Sequence, residues 1–372
     1  MALSKIDTTN MIEDVPQSKL DNNINFRNII INGDMSVSQR STSVSSVNSS
    51  GYNTCDRWRY GIAGTPTSAF TQSQSTDVPT AQGFSKSLKM DCTTADTSLA
   101  AGDGMRIQQR IEGQNLQYLK KGTSNAESLT ASFWVKSSKT GTYTLEIQDQ
   151  DNSRFNAKTY TVDTADNWEK KTITFSGDTT GTLDNDNASS LTLHWWLGAG
   201  TNFTSGTFHN GTWGTTTANR VSSSQVNLAD STSNEWYVTG VQLEAGQTAS
   251  EFEFLPHDVN LIRCKRYFQI LGPDGVGNVQ NAFVGFYNTT TQLIGVYTFP
   301  VRMRSGPSQT FSALSTFDLE PFDVAPTALN TFGSRPDQIS IVATDPSART
   351  RGFGGAICID TVGGQVEMNA EL

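Results

Sequence analysis

Glu146, Asp149 and Asp151 crowd one strand end and the turn that follows it. A carboxylate pair is what glycoside cleavage needs, one group as acid and the other as base or nucleophile. Strand alternation turns Glu146 outward, however, and carboxylates on an outward face or in a turn are ordinarily solvated. Asp149-Gln150-Asp151-Asn152-Ser153 and Asp184-Asn185-Asp186-Asn187 also gather oxygen atoms, the ligands that calcium prefers. Neither loop has the spacing or the terminal Glu of an EF-hand, and Asn/Asp turns arise for backbone reasons alone. Calcium at Asp149, Asp151, Asp184 and Asp186 is the one cofactor the sequence offers, and turn formation is the plainer reading. His194, His209 and His257 have no metal partner at ligand spacing. Gly-x-Ser-x-Gly, Walker and HExxH patterns are absent from the sequence. No catalytic residue is assigned, and the expectation is a protein that is not an enzyme.

The aromatic inventory is Trp58, Trp134, Trp195, Trp196, Trp213, Trp236 and Tyr237. Aromatic faces take the apolar faces of sugar rings, and nearby Asn, Gln and Asp side chains can meet the hydroxyls. Trp134 and Trp196 lie opposite the main apolar stripe of their strands, and Trp213 lies in a polar loop. These three are the glycan-contact candidates. The same placement suits a core or a subunit interface, because large exposed aromatic groups ordinarily have a partner.

Strands must position these residues. Met105, Ile107, Gln109 and Ile111 alternate with polar residues, as do Ala131, Phe133 and Val135, and Tyr143, Leu145 and Ile147. Ile173 with Phe175, then Leu191, Leu193, Trp195 and Leu197, then Tyr237, Thr239, Val241 and Leu243 continue the pattern. Period-two alternation sends one set of side chains inward on each strand. Short strands separated by Gly-rich turns, with no helices between, predict an antiparallel jelly-roll sandwich over residues 26–258. Arg40 to Asn53 reads as a surface loop, and Gly200 to Ser233 as a second polar insertion. Residues 259–271 read as a connector, strand or short helix, and residues 272–372 as a smaller C-terminal β-domain. In that domain 282–287 and 292–301 flank an Asn-Thr-Thr-Thr turn as a hairpin. Residues 1–25 form a short extended leader with too little apolar surface to fold alone. Ile6, Met11, Ile12 and Leu20 would attach it to a larger body.

The chain has 372 residues, long for one domain and comfortable for two. Its formal net charge is -9 and it contains no basic block, which argues against nucleic acid and anionic membranes as partners. Cys55, Cys92, Cys264 and Cys358 are far apart with no CxxC pair, so buried free thiols are expected. The N-terminus has no apolar core of signal-peptide length and no run is long enough to span a membrane, so folding in a cytosol is expected.

Several segments in order resemble one family. Asn32-Gly33-Asp34-Met35-Ser36-Val37-Ser38-Gln39-Arg40 with Asp56-Arg57-Trp58 is similar to the opening of a module in tailed-phage tail-fibre and head-fibre proteins. Gln108 to Gly113, Ser132 to Ser137, Thr140 to Tyr143, Trp168 to Thr179, Gly240 to Gly246 and Glu251 to Glu253 resemble its later markers. Cys264 to Phe268 resembles the trailing signature, and Phe299 to Arg304 with Pro307 and the final Ala370-Glu371-Leu372 resemble the distal domain. The resemblance implies a carbohydrate-binding-module-like jelly roll, a homotrimeric fibre or spike, and a place on the virion after assembly in the host cytoplasm. The leader would then dock on other virion proteins, and host surface polysaccharide would be the external partner. The family supplies no catalytic residues. Two rival readings remain: a structural adaptor or capsid decoration protein without a glycan site, and a fibre-borne polysaccharide depolymerase.

Overall fold

Alternation builds two separate β-units. The computed structural model describes residues 26–272, 280–359 and 363–372. The attachment residues Ile6, Met11, Ile12 and Leu20 lie outside the described residues. The chain divides between Leu255 and Pro256.

The first unit contains β1 (Ser43–Val47), β2 (Gly51–Tyr52), β3 (Arg59–Ala63), β4 (Ala69–Ser75), β5 (Ser87–Thr94) and β6 (Gly104–Glu112). It continues with β7 (Leu129–Ser137), β8 (Gly141–Asp149), β9 (Arg154–Val162), β10 (Glu169–Phe175), β11 (Ser189–Ala199) and β12 (Glu235–Ala245). One six-stranded sheet runs β1-β4-β5-β12-β7-β10, and the other runs β2-β3-β6-β11-β8-β9. Their strand pairs are antiparallel, and the two form the expected jelly-roll sandwich. Inward residues of both sheets meet in one core. Trp195 on β11 packs 5.6 Å from Phe133 on β7 and 5.4 Å from Trp58, ring centre to ring centre.

The Asn-Gly-Asp segment sets the sandwich's entry. Asn32 is buried with φ +58°, a region Asn tolerates. Its side chain donates to the carbonyls of Val37 and Asp56 at 2.8 and 3.0 Å and accepts from Val37 N at 2.9 Å. Trp58 Nε1 donates to the Asn32 carbonyl at 2.9 Å. A Cβ on Gly33 would lie 2.1 Å from the Val241 carbonyl oxygen, so only glycine fits. The two halves of this motif thus bind each other.

Three local expectations change. Residues 40–53 hold β1 and β2, not only loop; β1 is an edge strand pairing Ser43 with Ser73, and its exposure hides any apolar period. On β12 Trp236 and Val238 face the core, with Tyr237 and Thr239 on the other side. A shift in pairing between Thr239 and Gln242, at Gly240 with φ +60°, resets the phase so that Val241 and Leu243 face inward. Residues 259–271 belong to the second unit as part of a helix and a strand.

The second unit comprises a helix (His257–Lys265) and β13 (Phe268–Leu271), β14 (Gln280–Tyr287), β15 (Gln292–Thr298), β16 (Ser308–Phe311) and β17 (Phe317–Glu320). It ends with β18 (Ala328–Ser334), β19 (Gln338–Thr344), β20 (Gly354–Ile359) and β21 (Val366–Asn369). A three-stranded sheet runs β13-β21-β16 and a six-stranded sheet runs β17-β20-β14-β15-β19-β18. Its core includes Phe283, Tyr287, Leu293, Ile341, Ile357 and Met368. The expected hairpin is present as β14 and β15, with Val284 opposite Val296.

Candidate functional site

Trp134 stands on the outward side of β7, an interior strand, directly between Thr239 of β12 and Lys170 of β10. Phe133 and Val135 take the core side, so period-two alternation leaves Trp134 half-buried at the surface. Beside it lies a cleft of about 230 Å³ that also touches Phe84, Phe252 and Phe254. The three phenylalanines form a cluster, with ring centres 5.1 Å (Phe84–Phe252), 5.1 Å (Phe84–Phe254) and 4.8 Å (Phe252–Phe254) apart. Gln82, Lys170 and Glu251 are exposed on the rim. The site therefore offers flat apolar rings with amide, ammonium and carboxylate groups at their edge.

Farther along the same face, Lys136 stands 4.3 Å above the ring of Tyr237 and 5.8 Å from that of Trp168. Lys136 also pairs with Asp77, and Trp168 Nε1 donates to Asp77 at 2.9 Å. Burial acts to raise the Asp77 pKa, but these two hydrogen bonds outweigh it and hold the carboxyl below its ordinary value. The face keeps a charged, hydrogen-bonded border at this end.

The other two tryptophan candidates do not join Trp134. Trp196 is wholly buried on the outward side of β11, in the opposite sheet. The 200–233 insertion folds over it: Phe203 from helix α1 (Thr201–Thr204) lies 5.2 Å away, and Val221 completes the cluster. Its Nε1 donates to Glu146 at 2.8 Å. Trp196 is thus a packing residue beneath a roof, and no sugar face reaches it. Trp213 is half-buried in the insertion, where its Nε1 donates to the Ser176 carbonyl at 2.8 Å and Lys121 Nζ stands 5.4 Å from its ring. It anchors the loop to the body.

The carboxylate candidates are also engaged. Glu146 accepts from Arg220 Nε and Nη2 at 2.6 and 3.0 Å. Buried Asp149 pairs with Lys121 at 2.5 Å and accepts from Asn152 N at 3.0 Å. Asp151 accepts from Asp184 N, and Asp186 from Ala188 N, each at 2.9 Å. These residues staple turns together. Among the described residues no three His, Cys, Asp or Glu side chains gather as a metal site. His194 is buried with Nε2 3.1 Å from Gln148 Oε1; burial, then the charge of Arg106, depresses its pKa far below the ordinary value. All four cysteines are buried and none forms a disulfide.

A roomier groove of about 500 Å³ lies between Phe26, Tyr118 and the stretch 244–250. Its walls are mostly loop, whereas Trp134 stands on a paired strand. A rigid support holds a binding face better. The sequence singles out Trp134 but not the phenylalanines that share its cleft. Phe252 and Phe254 alternate just after β12, a signal within reach; their meeting with Phe84 is non-local.

No family model matches the chain, and no curated protein matches it. Among solved structures, the chain is similar to a family 11 carbohydrate-binding module from Clostridium thermocellum in complex with a β-1,3-1,4-mixed-linked tetrasaccharide (12% identity, TM-score 0.28, covering 56% of this chain and 97% of that one). It is similar to the N-terminal cellulose-binding domain of Cellulomonas fimi β-1,4-glucanase C (12% identity, TM-score 0.28, 57% and 100%). It is also similar to the enzymatically active domain of tailspike protein 4 of bacteriophage CBA120 (13% identity, TM-score 0.31). That match covers 59% of this chain and only 21% of the tailspike chain.

Proposed function

We propose that the chain is a structural, non-enzymatic protein of a tailed-phage fibre or spike, and that its first unit contacts host surface glycans. The observation that carries the glycan reading is the cleft beside Trp134. A sugar ring needs an aromatic face for its C–H side and polar groups for its hydroxyls. Trp134 with the phenylalanine cluster supplies the first, and Gln82, Lys170 and Glu251 supply the second. The place on a virion is supported by the ordered segments from Asn32 to Leu372 that resemble phage fibre proteins. The non-enzymatic reading is supported by Glu146 and Asp149, whose oxygens are held by Arg220 and Lys121.

Assembly is supported by the second unit. Val284, Phe286 and Val296 on β14 and β15 are 64%, 53% and 42% exposed. Neighbouring apolar groups left in water favour a partner surface, at about 25 cal/mol per Å² buried. In a homotrimer sister copies cover them, and weak glycan sites act together through avidity.

The test is adsorption of labelled virions with and without this protein. Adsorption lost with the protein supports the reading, and unchanged adsorption supports the adaptor instead. Release of reducing sugar from host polysaccharide by the pure protein would overturn the non-enzymatic part.

A further inference from the structure

The outward face of the second sheet carries a different chemistry. Across β3, β6, β11 and β8 one row reads Arg59, Gln108, His194, Glu146. The next row places Arg106 beside Trp196, and the row on the other side places Arg110 beside Thr192, with Gln148 on the strand beyond. Arg59, Arg106 and Arg110 are half-buried. Their near neighbour is neutral: with its amide turned to suit its surroundings, Gln108 accepts from Arg59 Nη1 at 2.9 Å and Arg110 Nε at 3.3 Å and donates to His194 Nδ1 at 3.2 Å. Arg106 Nη1 is buried without a hydrogen-bond partner, and its guanidinium stands 5.0 Å from the Trp196 ring.

The available carboxylates are spent elsewhere. Glu146 is taken by Arg220 and Trp196. Glu112, farther along β6, accepts from Gln114 Nε2 at 2.5 Å. Among the described residues none pairs with Arg59, Arg106 or Arg110 within 4.0 Å. The cost of this crowding is visible in the groups themselves. Burial, then Arg220, lowers the Arg106 pKa to about 10; burial, then Arg110, lowers that of Arg59. Like charges held together in a partly dry place are relieved by an anion. The insertion roofs the Trp196 side and reaches the neighbouring rows: Arg220 binds Glu146, donates from Nη2 to Gln148 Oε1 at 3.2 Å and lies 4.1 Å over the Phe155 ring.

We propose that this face binds the carboxylates of an acidic polysaccharide, with the planar guanidinium forks of Arg59 and Arg110 as its donors and the more deeply set Arg106 adding positive charge beside them. The inference rests on the glycan-binding reading above and names the substrate class. In a chain of net charge -9, recognition is a local matter of these three groups. The site is separate from the Trp134 cleft, which stands on the other sheet.

The experiment measures retention of the full chain on polygalacturonate, alginate and hyaluronate, each intact and carboxyl-reduced. The expected result is at least tenfold tighter binding to one or more intact polymers than to the reduced form. The ratio falls towards one in Arg106→Gln/Arg110→Gln, and Arg110→Gln alone, at a half-exposed position, gives a partial fall should the double variant misfold. Arg110→Lys restores only part, since it keeps charge and loses the fork. Equal binding of intact and reduced polymers, or a ratio unchanged in a folded variant, overturns the inference. If neutral polymers are still retained, and Trp134→Ala abolishes that retention, the broader glycan reading survives. Retention of nothing overturns both.

Discussion

Phe84 fills the space that Gly240 leaves open on β12. A Cβ at Gly240 would lie 2.5 Å from Phe84 Cζ, and the backbone there has φ +60°. One glycine therefore sets the phase of β12 and seats the ring beside the Trp134 cleft. Gly240→Ala adds left-handed strain and a clash, and is expected to cost about 1–3 kcal/mol. Denaturant unfolding checks this, and an unchanged midpoint would contradict it.

Asn32→Ala is expected to cost about 2–4 kcal/mol. It removes three buried side-chain hydrogen bonds and puts alanine at φ +58°. Asn32→Gly recovers the conformation but not the bonds, so it should fall between wild type and alanine. Equal stability of the two variants would show that conformation contributes nothing at this position.

The sandwich was legible in the sequence because its core strands alternate cleanly. Phe133, Leu145, Ile107 and Trp195 all point inward as their stripes require. For Trp196 a core place stood beside glycan contact in the sequence, and periodicity could not choose between them. Its roof comes from Phe203 and Val221, in an insertion whose own composition is polar. The β12 phase was misread because a bulge spends one residue without changing composition. The arginine face was half legible: Arg106, Gln108 and Arg110 alternate with Met105, Ile107 and Gln109 on β6. Pairing with Arg59 and His194 is set by strand order, which periodicity does not encode.

Stability should depend on acid pH through Asp178. Burial acts to raise its pKa, but hydrogen bonds from Arg154 at 2.7 and 3.0 Å and from Lys121 outweigh it, so the folded-state pKa lies below the ordinary value. A depressed folded pKa gives stability that is present above the unfolded value of about 3.9 and is lost as pH falls through the folded one. The melting temperature should therefore fall below about pH 4, and less steeply in Asp178→Asn. That variant should lose roughly 1–3 kcal/mol at pH 7. An identical acid slope in both proteins would contradict the assignment.

Val284→Lys/Phe286→Ser should break self-association and leave the fold intact, because both side chains are exposed in the isolated chain. Light scattering at micromolar concentration should give a trimer for wild type and a monomer for the variant, with closely similar melting temperatures. A wild-type monomer would remove the assembly from the account.

The most direct measurement is calorimetric titration of the full chain, wild type and Trp134→Ala, with oligosaccharides from host surface polysaccharide. The account predicts saturable binding by wild type and at least a tenfold loss in the variant, about 1.4 kcal/mol, with Trp134→Phe keeping part of the affinity. Equal affinity of wild type and a folded Trp134→Ala, or no binding by wild type, would contradict it.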